Sequence, residues 1–181
     1  MTNIQIRQAN KYDLWALERL LALGIQESEG LLPGYDELDF VHTGINMIVA
    51  GLVFVAVDID EKANTEKIVG CLNLEANSWA WNKEQTILES VHFYVIPEAR
   101  GKALADGKTR VWEGLLAAGK HLADAASNAK GYAVPLMIRV IHKMDDQQVS
   151  AKDELFKRAG LSYVGGTHLY VPQPVTADKA A

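Results

Sequence analysis

The stretch best equipped for chemistry is Phe93-Tyr94-Val95-Ile96-Pro97-Glu98-Ala99-Arg100-Gly101-Lys102-Ala103-Leu104-Ala105, where an apolar run meets small and basic residues. A small-residue loop that opens a helix presents unpaired backbone N–H groups and the positive end of the helix dipole, which together bind an anion such as a diphosphate. Arg100 and Lys102 would add charge. Gly101, Gly107, Lys108 and Thr109 look at first like a phosphate-binding P-loop, but the two glycines stand one residue too far apart for that motif. The apolar spacing through Leu104 and Val111 also predicts that Gly107 to Thr109 lie inside a helix. His42, His92, His121, His142 and His168 are scattered, and no metal site is expected from them. Cys71 has no second cysteine, so an internal disulfide and a zinc ribbon are both excluded. Asp145-Asp146 reads as a solvated acidic loop that could also help collect an amine.

These groups must be carried by a packed scaffold, and the composition supports one. The 181 residues are 49% hydrophobic and 23% charged, which fits one globular domain and argues against disorder. A net charge of -5 without a long basic run disfavours a nucleic-acid binder. No apolar signal core follows Met1, and the apolar stretch from Ile45 to Val57 is broken by Gly51 and too short to span a bilayer. A cytoplasmic protein with no membrane partner is the expectation.

Ile4 to Gln8 alternates as a strand, with Asn10 and Asp13 as caps for a helix carrying Leu14, Leu17, Leu20, Leu21 and Ile25. A second helix is predicted from Asp36 to Ala50, ended by Gly51. Leu52 to Ile59, Lys67 to Asn77 and Gln85 to Ile96 read as three strands of an antiparallel meander, joined by Asp60 to Asn64 and by Trp81 to Glu84. Trp79 and Trp81 fall at the tip of the second hairpin. One long helix is predicted from Leu104 to Ala126, and a central strand buried on both faces from Val134 to Ile141. A helix starting at Ser150 and capped by Gly160 follows, then strands Leu161 to Val164 and His168 to Val171. The domain is expected over residues 1–172, with 173–181 as a flexible tail.

This order is α+β. Together with Tyr94-Val95-Ile96-Pro97-Glu98, Arg100-Gly101-Lys102 and the late Leu155-Phe156-Lys157-Arg158-Ala159-Gly160-Leu161, it resembles the GNAT N-acetyltransferases over roughly Ile4 to Val171. The Pro-Glu-x-Arg-Gly loop looks most like bacteriophage-encoded members. The resemblance implies the acyl-CoA N-acyltransferase fold, a mixed, mostly antiparallel sheet flanked by helices. It implies acetyl-CoA as co-substrate, its pyrophosphate on the amides of Arg100, Gly101, Lys102, Ala103, Leu104 and Ala105. The pantetheine arm would lie beside Phe93, Tyr94 and Val95, in a splay against the Ile138-Arg139-Val140 strand. Acetyl passes by direct attack of a primary amine, with Glu89 as general base and the Val95 N–H as donor to the oxyanion. By simple alternation, His92 faces the other side of that strand, as packing.

Two departures from the family pattern stand out. Ala103 occupies a position where the family has glycine, although Ala105 fits. The tyrosine that protonates the leaving thiolate is replaced by Phe156, and Tyr163, Tyr132 and His142 are the residues that could stand in for it. The alternative is therefore a catalytically decayed copy of the fold, used as a phage structural or partner-binding module. The acceptor, a small-molecule or a protein amine, is not legible. Neither is the oligomeric state, although the strands near Tyr163 and Leu169 could pair with a second copy at a sheet edge. Location follows the source: the cytoplasm, or a virion if the chain is phage-encoded.

Overall fold

A computed structural model describes residues 3–28, 34–79, 82–139, 153–164, 167–170 and 172. The elements in order are β1 (Ile4–Gln8), a 3-10 turn (Lys11–Asp13), α1 (Leu14–Glu27), α2 (Glu37–Val49), β2 (Val53–Asp60), β3 (Thr65–Trp79) and β4 (Asn82–Val95). Then come α3 (Pro97–Arg100), α4 (Val111–Lys130), β5 (Leu136–Ile138), a helix α5 at 153–158, β6 (Ser162–Val164) and β7 (Thr167–Tyr170). They build a seven-stranded sheet in the order β1-β2-β3-β4-β5-β7-β6, antiparallel except where β4 meets β5. This is the expected α+β, mixed, mostly antiparallel architecture.

Helix α4 covers one face. Its glycines let it approach closely: a Cβ on Gly119 would come within 2.8 Å of Leu72, and one on Gly114 within 2.6 Å of Leu104. Leu72, Leu74, Leu115, Leu116 and Leu136 are fully buried there, and each such side chain removed from water stabilises the fold by about 1.5–3 kcal/mol. Helix α1 covers the opposite face with Leu17 and Leu20, and a Cβ on its Gly24 would meet His92 and Tyr94. Its entry is locked locally. Asn10 accepts from the Tyr12 N–H, and the Asp13 carboxylate accepts from the Asn10 N–H at 2.7 Å and pairs with Arg7 at 2.7 Å. Helix α2, capped by Asp36, buries no residue and leans on α1.

Several expectations change. The long helix starts at Val111, not Leu104, so Gly107 to Thr109 precede it rather than lie within it. The reason is local: Asp106 accepts from the N–H groups of Lys108 and Thr109, and Gly107 takes a positive φ of 71°, a turn no helix can continue through. The β3–β4 hairpin is longer than expected, β3 reaching Trp79 and β4 starting at Asn82. Of the last two strands, only β6 lies at the edge, because β7 is inserted between it and β5. Trp79 is half-exposed, whereas Trp81, His142, Asp145, Asp146 and the tail lie outside the described residues.

Candidate functional site

Strand β4 carries the candidate catalytic residues, and a bulge decides where they point. Asn73 of β3 pairs with His92 and Leu74 with Ser90, which leaves Val91 as an extra residue. Farther along, Glu75 pairs with Glu89. Asn73 and Glu75 share a face of β3, so His92 and Glu89 share that face of β4, the one toward α1 and α2. The expectation that His92 faces away from Glu89 is overturned, because the bulge breaks the alternation on which it rested. Phe93 and Val95, opposite Leu72 and Gly70, face α4 instead.

The edges of β4 differ too. Its parallel pairing with β5 covers only Leu88 with Leu136 and Glu89 with Met137. At the next step a side chain replaces the ladder, as the Arg139 N–H donates to Ser90 Oγ at 2.8 Å. Beyond it the described residues offer Val91 to Val95 no ladder partner on that edge. The Ile96 N–H donates to Val69 O at 3.0 Å, and the Val95 carbonyl accepts from Arg100 Nε at 2.9 Å on the opposite side. Backbone alternation therefore turns the Val95 N–H to that same edge, away from β3. Glu89 accepts from Asn77 at 2.9 Å and pairs with Arg139 at 2.6 Å, with 17% of its side chain exposed.

Tyr94 is buried, stacks on His92 and donates its hydroxyl to Glu27 at 2.7 Å. Burial, followed by the Glu27 carboxylate, pushes the Tyr94 hydroxyl well above its ordinary range. Arg100 bonds the other Glu27 oxygen and lies over the Tyr94 ring. Burial also pushes the Cys71 thiol up to about 12, so it stays protonated, 3.4 Å from His92 Nδ1.

The loop 101–110 is closed on itself. The N–H groups of Lys102, Leu104, Ala105 and Gly107 donate to Ala99, Thr109, Ile4 and Leu104 carbonyls. Those of Lys108 and Thr109 go to Asp106, that of Arg110 to Glu113 and that of Val111 to the Lys102 carbonyl. Lys102 pairs with Asp58 at 3.3 Å, and Arg110 bonds the Gly101 carbonyl. The donor set expected to hold a pyrophosphate is thus largely engaged by the protein's own acceptors. Gly101 itself is exposed, with open space where a Cβ would stand. Phe156 is wedged between Phe93 and Trp112 with ring centroids 6.4 and 6.2 Å away, on the α4 side of β4. Its ring has no proton to give. Tyr132 is tied to Thr86 and to the Glu84 carbonyl near the start of β4, far along the strand from Val95.

A cavity of about 330 Å³ opens between α1, α2 and the sheet, walled by Leu17, Phe40, Met47, Val53 and Val91. Asp36 at the cap of α2, Asp39 within it, and Asn73 and His92 of the sheet add polar groups. Asn73 drew no notice in the sequence, because one amide inside an apolar strand carries no spacing signal. Among the described residues no cluster of three or more His, Cys, Asp or Glu could hold a metal ion, and no helix is long and apolar enough to cross a membrane.

No protein-family model and no curated protein matches the chain. Solved structures do. An agmatine N-acetyltransferase in its apo form is similar over 94% of this chain and 100% of its own, with TM-score 0.59 and 15% identity. A possible acetyltransferase from Clostridium difficile 630 gives TM-score 0.58 at 16% identity, over 90% of this chain and 92% of that one. A PaiA N-acetyltransferase from Thermoplasma acidophilum, in complex with coenzyme A, gives 0.54 at 17%, over 92% and 96%. At these identities the likeness is one of fold. The chain has the GNAT acyltransferase fold.

Proposed function

We propose that the protein is an N-acetyltransferase that moves acetyl from acetyl-CoA to a primary amine. The observation that carries this reading is the last described β4–β5 ladder pair at Glu89, past which the described residues give the Val95 N–H no partner, with Glu89 on the sheet face toward α1 and α2. Acetyl-CoA, when bound, supplies an activated thioester. In this reading the Val95 N–H donates to the acyl oxygen as negative charge builds on it. Glu89 takes the proton of the attacking amine through water, and its bonds to Asn77 and Arg139 hold the carboxylate in one orientation. Phe93, Tyr94 and Val95 border the acyl end; Arg100, Gly101, Lys102, Ala103, Leu104 and Ala105 border the diphosphate end. At the diphosphate end the loop's internal bonds must exchange for bonds to the ligand.

The fold neighbours, one of them holding coenzyme A, support this reading. The bacteriophage affinity rests on the Pro97-Glu98-Ala99-Arg100-Gly101 loop alone. The test is thiol release from acetyl-CoA across a panel of amines. Glu89→Gln is expected to lower kcat/KM by about 10²-fold or more at fixed pH. Failure of the folded protein to bind acetyl-CoA by calorimetry would overturn the reading in favour of a binding module.

A further inference from the structure

The cavity between α1, α2 and the sheet carries its own chemical signature. Its walls are apolar, and it lies at the small end of the range of ligand sites, which suits a compact molecule rather than a folded surface. Asp36 and Asp39 supply carboxylates, and among the described lining residues there is no lysine or arginine. A second and independent observation comes from the sheet. Asn73 is 9% exposed, lines the cavity, and its Oδ1 is buried without a hydrogen-bond partner. A buried carbonyl left unpaired is costly. That cost is recovered when a donor arrives, and a donor is what an amine or ammonium brings.

We infer that this cavity takes a small free amine with an aromatic or branched apolar body and no carboxylate. The inference rests on the acetyl-transfer reading and names its acceptor class. Tyr35 and Phe40, packed edge to face at 5.7 Å, and Leu17 receive the body. Asn73 receives an N–H of the amine, and the aspartates at the cavity attract the cation and repel an amino acid's carboxylate. Placement agrees with chemistry. Asn73 is two residues from Glu75 on one face of β3, roughly 7 Å along the strand, and Glu75 is the cross-strand partner of Glu89. The amine site at Asn73 and the Glu89 carboxylate thus lie on one face of the sheet.

The test is a calorimetric titration of the full chain at pH 7, without acyl donor, using 2-phenylethylamine and L-phenylalanine as probes. The amine is expected to bind at least about tenfold more tightly than the amino acid. Asn73→Leu is expected to weaken amine binding by about tenfold. Should that variant fail to fold, Asp39→Lys at an exposed position serves instead, with a weakening of about fivefold or more expected. Equal binding of the two probes, no binding of the amine to the folded protein, or unchanged binding in Asp39→Lys would each overturn the inference. Tighter binding of a lysine-containing pentapeptide than of the free amine would also overturn it, in favour of a protein acceptor. Because no acyl donor is present, these outcomes are separate from the thiol-release result that tests acetyl transfer itself.

Discussion

Asp13 shows how one side chain can hold two jobs. Burial alone would raise its carboxyl, but the Arg7 guanidinium and the Asn10 N–H together outweigh burial and hold it below the usual carboxylate range. A depressed folded value means that the unfolded chain takes up the proton first as pH falls. The stability from this group is complete above roughly pH 4–5 and is lost as pH drops below the ordinary aspartate value near 3.9. Acid titration of the melting temperature should therefore show a limb below about pH 4 that Asp13→Asn flattens, at a cost of about 1–2 kcal/mol near neutral pH. Legibility at this scale was uneven. Asn10 and Asp13 were readable as caps because capping has a local pattern. Glu89 and Val95 came through resemblance to a family. Neither the shared face of His92 and Glu89 nor the role of Asn73 could be read, since both depend on cross-strand register, which no single strand encodes.

At the scale of elements, the loop from Gly101 to Arg110 would, on the proposed acetyl transfer, govern access of the diphosphate. Asp106 receives the Lys108 and Thr109 N–H groups and the Thr109 hydroxyl, and so occupies donors with its own negative charge. Hydrogen bonds to these donors also hold the Asp106 carboxyl below its usual range. It competes with any incoming phosphate both for donors and through Coulomb repulsion. Asp106→Ala is thus expected to tighten acetyl-CoA binding by about threefold or more, measured by calorimetry at low salt, with an unchanged affinity counting against a role for these amides. The three-stranded meander was visible in runs of β-branched and aromatic residues. The start of α4 was misplaced because Leu104 stands in helical phase with Val111 by coincidence. The Asp106-Gly107 pair, a turn signal in its own right, was the cue that should have outweighed that phase.

For the whole molecule, stability is distributed unevenly over the two faces of the sheet. The side under α4 is densely packed, whereas α2 buries none of its residues and exposes Leu38, Ile45 and Val49. Few buried contacts mean a low cost of local opening. Hydrogen exchange should show α2 amides exchanging at least about tenfold faster than those of β3 at Cys71 to Leu74. Saturation with a bound amine should slow α2 selectively. The fold class followed from the element order, because β and α segments differ in period. The cavity did not, because its walls come from five elements brought together only by folding.

The extra residue at Val91 has a bearing on chain length as distinct from chain chemistry. A chain lacking Val91 would still place Ser90 opposite Leu74 and His92 opposite Asn73, so every partner in β3 and every face would be preserved. What would vanish is the bend that a bulge imposes, just past the last β4–β5 ladder pair among the described residues. Straightened, β4 would keep company with its neighbour and shut the edge on which the Val95 N–H lies. On the proposed acetyl transfer, removing one codon there should yield a protein that melts cooperatively and transfers nothing: a loss written in the count of residues rather than in their identity.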